Sequence, residues 1–249
     1  MMTRGIFVTG TDTGVGKTAV CAALLARWRA DGADAVPMKP VQTGCEWRDG
    51  GLAATDLEFI LKAAGLCPPP DEREWMSPYR FEPPCSPHLA AARAARAISL
   101  EHMAACFHEL AARHAVIIVE GAGGVLVPLG EGRTMLDLMM MLRLPVLLVS
   151  RPGLGTINHT LLSLREIRRA GLRPLGVVFN EATPSPRGMV EADNPRVVAE
   201  LAAPIDIWRL PFAKALGREP LSESPDFIHW TRELPTIRDV TNRKDQVQA

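Results

Sequence analysis

Short apolar runs alternate along the chain with longer stretches in which apolar residues recur every three or four positions. That alternation predicts strands and helices in turn. Ile6-Phe7-Val8 opens as a strand. Val20, Leu24, Leu25 and Trp28 then fall at helical spacing in a segment that begins near Lys17 and ends at Gly32. Ala35-Val36-Pro37-Met38 reads as a second, short strand, leading into Lys39-Pro40-Val41-Gln42-Thr43-Gly44 and a polar, glycine-rich loop to about Ala54. Thr55-Asp56-Leu57-Glu58 has the form of a capping box, with Thr55 as the cap and Glu58 reaching back. Prolines are dense from Cys67 to Pro87, which predicts an irregular excursion. Ser86-Pro87 restarts a helix as cap and first-turn proline. The Ala/Arg-rich run to Arg96 and the segment from Ser99 to His114 are both expected to be helical.

Val116-Ile117-Ile118-Val119 is apolar throughout and ends in Glu120-Gly121-Ala122-Gly123-Gly124, as suits a strand buried on both faces of a parallel sheet. A similar run from Pro145 to Val149 enters the turn Gly153-Leu154-Gly155 and an amphipathic helix from Ile157 to about Ala170. Leu175 to Phe179 forms another strand, ending at Asn180, and Ile205 to Trp208 leads to Pro211-Phe212. Met139-Met140-Met141 is either core or a soft interface. The expected fold is α/β, a single domain over 1–249 with a mostly parallel sheet flanked by helices. The part beyond about residue 215 is weakly patterned. Ligands of such sheets gather at strand C-terminal ends. Residues 10–18, Lys39, Glu120, the turn 153–158, Asn180 and Pro211 are therefore expected to face one crevice.

Composition narrows the class. Hydrophobic residues make up 47% of 249, enough for a sizeable core. A net charge of zero gives no broad electrostatic footprint for nucleic acid. No apolar run approaches a membrane span, and no signal-peptide pattern precedes the first strand. Five dispersed cysteines without C-x-x-C spacing suit a reducing compartment. A cytoplasmic protein that binds neither nucleic acid nor membrane is expected.

The candidate chemistry begins with Gly10-Thr11-Asp12-Thr13-Gly14-Val15-Gly16-Lys17-Thr18, which fits the phosphate-loop pattern between a strand and a helix. Its glycines let backbone N–H groups turn inward toward phosphate oxygens, beside the positive end of the helix dipole. Lys17 then reaches the β/γ-phosphates and the Thr18 hydroxyl takes one place on Mg²⁺. Glu120 closes a buried strand, where nucleotide-hydrolysing folds keep an acidic residue for Mg²⁺; its alternative role is a cap. Asp56 is either a metal ligand or ordinary dipole complementation. Lys39, held extended by Pro40, is either a phosphate contact or a solvated charge. Asn180 can pair with a base edge through its amide. The six histidines show no metal-ligand spacing.

Taken in order, residues 10–18, Lys39-Pro-Val-Gln-Thr-Gly44, Ser86-Pro-His88, Glu120-Gly-Ala-Gly-Gly124 and Gly153-Leu-Gly-Thr-Ile-Asn-His159 resemble the dethiobiotin synthetase family over roughly residues 5 to 215. The resemblance implies a P-loop nucleoside triphosphate hydrolase fold and a homodimer with substrate near the subunit interface. It implies an ATP- and Mg²⁺-dependent ligase that takes 7,8-diaminononanoate and CO₂ (from bicarbonate) to a cyclic urea, dethiobiotin, with ADP and phosphate released. Lys17 and Lys39 then flank the transferring phosphoryl group, and Thr18, Asp56 and Glu120 surround the metal. By the same resemblance ATP touches Thr13, Gly14, Val15, Gly16, Lys17, Thr18, Ala19, Gly121, Ala122 and Gly123. The nucleotide's base side falls on Asn180, Glu181, Pro211, Phe212 and Ala213. The substrate side falls on Thr43, Gly124 and Asn158. Two alternatives share the scaffold: an amidoligase acting on a carboxylate, and a partitioning-type switch ATPase. The second usually carries a Lys where this chain has Thr11.

Overall fold

A computed structural model describes residues 4–48, 50–182, 188–212, 221, 231 and 234–241. Strand β1 (Arg4–Gly10) leads into helix α1 (Lys17–Ala30) and strand β2 (Ala35–Met38). Short strands β3 (Val41–Thr43), β4 (Glu46–Arg48) and β5 (Gly51–Ala53) follow, then helices α2 (Thr55–Ala63) and α3 (Pro70–Met76) and strand β6 (Tyr79–Phe81). Helices α4 (Pro87–Arg93) and α5 (Leu100–Arg113) precede the long strand β7 (Val116–Gly124). Strands β8 (Pro128–Gly130) and β9 (Arg133–Thr134) form a hairpin before α6 (Met135–Leu142). The chain then alternates β10 (Val146–Ser150), α7 (Thr156–Arg169), β11 (Pro174–Asn180), α8 (Met189–Leu201) and β12 (Asp206–Leu210).

Six strands make one sheet in the order β12-β11-β10-β1-β7-β2, and every pairing in it is parallel. Successive side chains alternate across it. Phe7, Ile117, Val119, Leu148, Val177 and Phe179 pack with α5, α6, α7 and α8 on one face. Ile6, Val8, Ile118, Leu147, Val149 and Val178 pack with α1 on the other. Both faces are covered, which is why these strands read as unbroken apolar runs. The parallel sheet flanked by helices is as the sequence predicts. Among the described residues no helix is long and apolar enough to cross a membrane.

Local departures have physical reasons. No side chain caps α2: its N-cap is Ala54, and Thr55 instead accepts a hydrogen bond from Gln42 Nε2 (2.9 Å). Glu58 pairs outward with Arg48 (3.2 Å). A reciprocal box does exist at α6, where Asp137 Oδ2 accepts from the Thr134 N–H (2.7 Å) and hydroxyl (2.8 Å). Ser86 precedes α4 with Pro87 in its first turn, but its side chain makes no capping bond. The proline-dense excursion contains α3 and β6, since Pro70 sits where a helix tolerates proline, in the first turn. The expected loop before Ala54 carries the β4–β5 hairpin. Met139 is core, whereas Met140 and Met141 are exposed. Near the chain end, the Trp28 indole donates to the Pro235 carbonyl (3.0 Å), and Leu234 and Val240 join the α1 layer.

Candidate functional site

The crevice at the strand ends begins with the loop between β1 and α1. Gly14 and Gly16 sit at φ 75° and 91°, the left-handed region that glycine enters freely. Gly16 is the N-cap of α1, no side chain caps that helix, and its first turn holds no acidic residue. Its leading N–H groups thus face the crevice without an internal anion. Gly10 is required by closeness: a Cβ there would lie 2.9 Å from the Asp12 carbonyl oxygen and 3.1 Å from Lys17 Nζ. Lys17 folds back to donate to that Asp12 carbonyl (3.0 Å). Burial lowers the Lys17 ammonium to about 8, with Glu120 opposing the shift and Lys39 adding to it. The side chain remains charged at neutral pH.

Strand β2 ends beside β7, and this adjacency brings Lys39 to Glu120. Lys39 Nζ donates to Glu120 Oε1 (2.5 Å) and to Asp56 Oδ2 (2.8 Å) in the first turn of α2. Thr18 donates its hydroxyl to the same Glu120 Oε1 (2.9 Å). Burial alone would lower the Lys39 ammonium, but the charges of Glu120 and then Asp56, with their hydrogen bonds, outweigh it and raise it. Glu120 is 1% exposed, and its second oxygen, Oε2, is buried without a hydrogen-bond partner among the described residues. Thr18, Asp56 and Glu120 form a hard-oxygen donor set with an unspent buried acceptor. No cluster of three or more His, Cys, Asp and Glu side chains suited to a metal occurs among the described residues. Such a set fits Mg²⁺, which is commonly held by one or two carboxylates and completed by phosphate and water.

These groups line one cavity of about 600 Å³. Of the residues singled out in the sequence, Thr13, Gly14, Gly16, Lys17, Thr18, Lys39, Thr43, Asp56, Glu120, Ala122 and Gly123 all line it. Sequence reasoning named no role for Val41, Gln42, Pro84, Cys85 and Val127, which also line it. Gln42 lies inside the stretch singled out at Lys39–Gly44, and Pro84-Cys85 directly precede Ser86-Pro87; Val127 carries no sequence signal.

Other expected members lie elsewhere. Val15 and Gly121 are buried, and Ala19 and Gly124 are half-buried off the cavity wall. Asn180, at the end of β11, is 3% exposed and donates from Nδ2 to the Val15 carbonyl (3.0 Å). Glu181 donates its N–H to the Leu210 carbonyl (2.9 Å), Phe212 is 37% exposed, and Ala213 lies outside the described residues. The expectation that the turn 153–158 shares the crevice is not met: Asn158 is exposed at the start of α7 and does not line the cavity. Asn194 of α8 holds this turn instead, donating to the Pro152 (2.8 Å) and Gly153 (3.1 Å) carbonyls.

A buried hydroxyl cluster joins that turn to the loop. Ser150 Oγ, at the end of β10, meets Thr156 (2.6 Å), Thr160 (3.0 Å) and Thr11 (3.4 Å). One donor and two acceptor sites on Ser150 are thereby all used. Ser150→Ala is expected to cost about 1–3 kcal/mol, because Thr156 and Thr160 keep only their longer contact with each other (3.3 Å). Urea unfolding at constant slope checks this; a loss below about 0.5 kcal/mol would show that the threonines satisfy each other.

A glycine-rich turn from strand to helix, two lysines and a buried acid at one end of a parallel sheet are the parts of a P-loop fold. Residues 4–210 match a family model described as "AAA domain". The fold is similar to that of the ParA family ATPase from Chlorobium tepidum TLS, with a TM-score of 0.56 at 15% identity, covering 94% of this chain and 99% of that one. Within this class the chain belongs to the ATP-dependent dethiobiotin synthetases, ligases that form C–N bonds in biotin synthesis. It is 41% identical over 241 residues to the synthetase of Anaeromyxobacter sp. (strain Fw109-5), covering 97% of this chain and 94% of that protein. It is 34% identical over 230 residues to the synthetase of Thermodesulfovibrio yellowstonii, covering 90% and 95%.

Proposed function

We propose that the cavity between residues 13–18 and the Lys39–Thr43 and Pro84–Pro87 segments holds ATP's phosphate tail beside a CO₂-loaded 7,8-diaminononanoate and closes its ureido ring. The observation that carries this is the extension of one cavity past Lys17 and Lys39 to Thr43, Ser86 and Pro87, which leaves room next to the γ-phosphate position. A carbamate on one nitrogen attacks the γ-phosphate and ADP departs, giving a carbamic–phosphoric anhydride. The second amine then displaces phosphate at the carbamate carbon. Such transfer needs positioning and charge neutralisation above all. Lys17 binds the β/γ-phosphates, and Lys39 binds the transferring phosphoryl group and the carbamate. Thr43 meets the substrate side. Thr18, Asp56 and Glu120 would hold Mg²⁺, which supplies charge neutralisation on the phosphates when bound.

The base is assigned to Asn180, Glu181 and Pro211-Phe212. The Nδ2 bond to Val15 leaves Asn180 Oδ1 to accept from an amino group of adenine. We further read the protein as a homodimer. Exposed Leu154, Asn158 and Leu162 at the start of α7 offer a mixed surface for a second copy and for the substrate carboxylate. One domain and a cytoplasmic setting complete the reading; all five cysteines are free.

Incubating the protein with diamine, bicarbonate and Mg·ATP is expected to yield one dethiobiotin per ADP, read by mass spectrometry. ATP hydrolysis at the same rate without the diamine, and no product, would overturn the proposal.

A further inference from the structure

We infer that Lys39 is a placeholder cation: its ammonium occupies the place between Asp56 and Glu120 that a divalent cation would take on loading. The inference deepens the metal reading of Thr18, Asp56 and Glu120 given above and rests on it.

A carboxylate as buried as Glu120 needs a positive partner, because an uncompensated charge in the interior costs several kcal/mol. Two protein cations are in reach. Lys17 Nζ is held at the Asp12 carbonyl, 3.0 Å away, and makes no direct ion pair with Glu120 among the described residues. Lys39 Nζ instead stands 2.5 Å from Glu120 Oε1 and 2.8 Å from Asp56 Oδ2. Thr18 turns its hydroxyl proton onto the same Glu120 oxygen, leaving its own lone pairs unspent. Two carboxylate oxygens thus hold one ammonium, and the Thr18 hydroxyl bonds one of the two.

Lys39 is suited to yield. Its backbone is fixed by the N–H bond to the Met76 carbonyl (2.7 Å), while its four-carbon stem ends in a compact charge that can swing. With a dication between the carboxylates, Lys39 loses its partners and meets a like charge. Its ammonium is then released to the cavity that Lys39 lines together with Thr43 and Ser86.

The test is Mn²⁺ alone, titrated into nucleotide-free protein and followed by the paramagnetic resonance signal of the free ion. Lys39→Met is expected to bind Mn²⁺ on the order of tenfold or more tighter than wild type, and Lys39→Arg, which keeps the charge, no tighter. Lys39→Met binding no tighter than wild type would overturn the inference. Thermal melts guard against a folding artefact: Mn²⁺ should raise the Tm of Lys39→Met more than that of wild type, and equal shifts count against the placeholder. Adding Glu120→Gln to Lys39→Met should abolish the gain. If the gain persists there, the ion lies elsewhere and the ligand assignment itself falls. Product formation by the wild type is measured separately, so loss of the ligase reading is told apart from loss of this one.

Discussion

Replacing Lys17 by alanine leaves a folded protein whose affinity for ATP falls on the order of 10²-fold, the value of a charge-assisted hydrogen bond to a phosphate. Turnover at saturating nucleotide is expected to drop by a further factor of roughly 10²–10³, since in the proposed mechanism the same cation neutralises charge that grows in the transition state. Stability should not fall with it. Burial lowers the Lys17 ammonium to about 8 from 10.5 in the unfolded chain, so the unfolded state holds the proton more tightly. At pH 7 the charged side chain therefore opposes folding, and alanine removes that cost. Calorimetric ATP binding, steady-state turnover and urea unfolding together check the three parts. ATP affinity within about threefold of wild type would take Lys17 out of the cradle, because its binding term would then be worth under 1 kcal/mol.

The parts of this site that were legible in the sequence are those whose chemistry is local. Residues 10–18 carry their glycines, lysine and threonine in one segment, and the apolar runs beside them give strand, turn and helix directly. Glu120 is legible because it directly follows an unbroken apolar run, although β7 continues past it to Gly124. Asp56 and Lys39 gain their meaning only together, and the bond between them joins separate elements, so spacing alone leaves two readings open for each. The Gln42–Thr55 bond shows the same limit: Thr55 has every local feature of a cap, and a side chain from another element claims its hydroxyl. Asn194 is hidden for a different reason. It lies in a helix with an internal proline, Pro195, which argues against a helix from sequence alone. The turn 153–158 followed the rule that strand ends share a crevice, but α7 carries Asn158 onto the exposed surface.

The Asn180–Val15 contact makes Gly16 the most sensitive backbone position of the loop. A Cβ at Gly16 would lie 1.9 Å from Asn180 Nδ2, on a residue already at φ 91°. Asn180 is buried and cannot step aside without releasing the Val15 carbonyl, 3.0 Å away. Gly16→Ala is thus expected to cost about 2–4 kcal/mol, combining left-handed strain with a buried acceptor left unpaired. The same shift misaims the leading N–H groups of α1, so ATP binding is lost along with stability. Asn180→Ala tests which cause dominates. It removes the obstructing amide and should make the double variant less costly than the two single losses added, by about 1 kcal/mol or more. Strict additivity in denaturant unfolding would mean that strain at φ 91° alone sets the glycine requirement, and that Asn180 does not shape the loop.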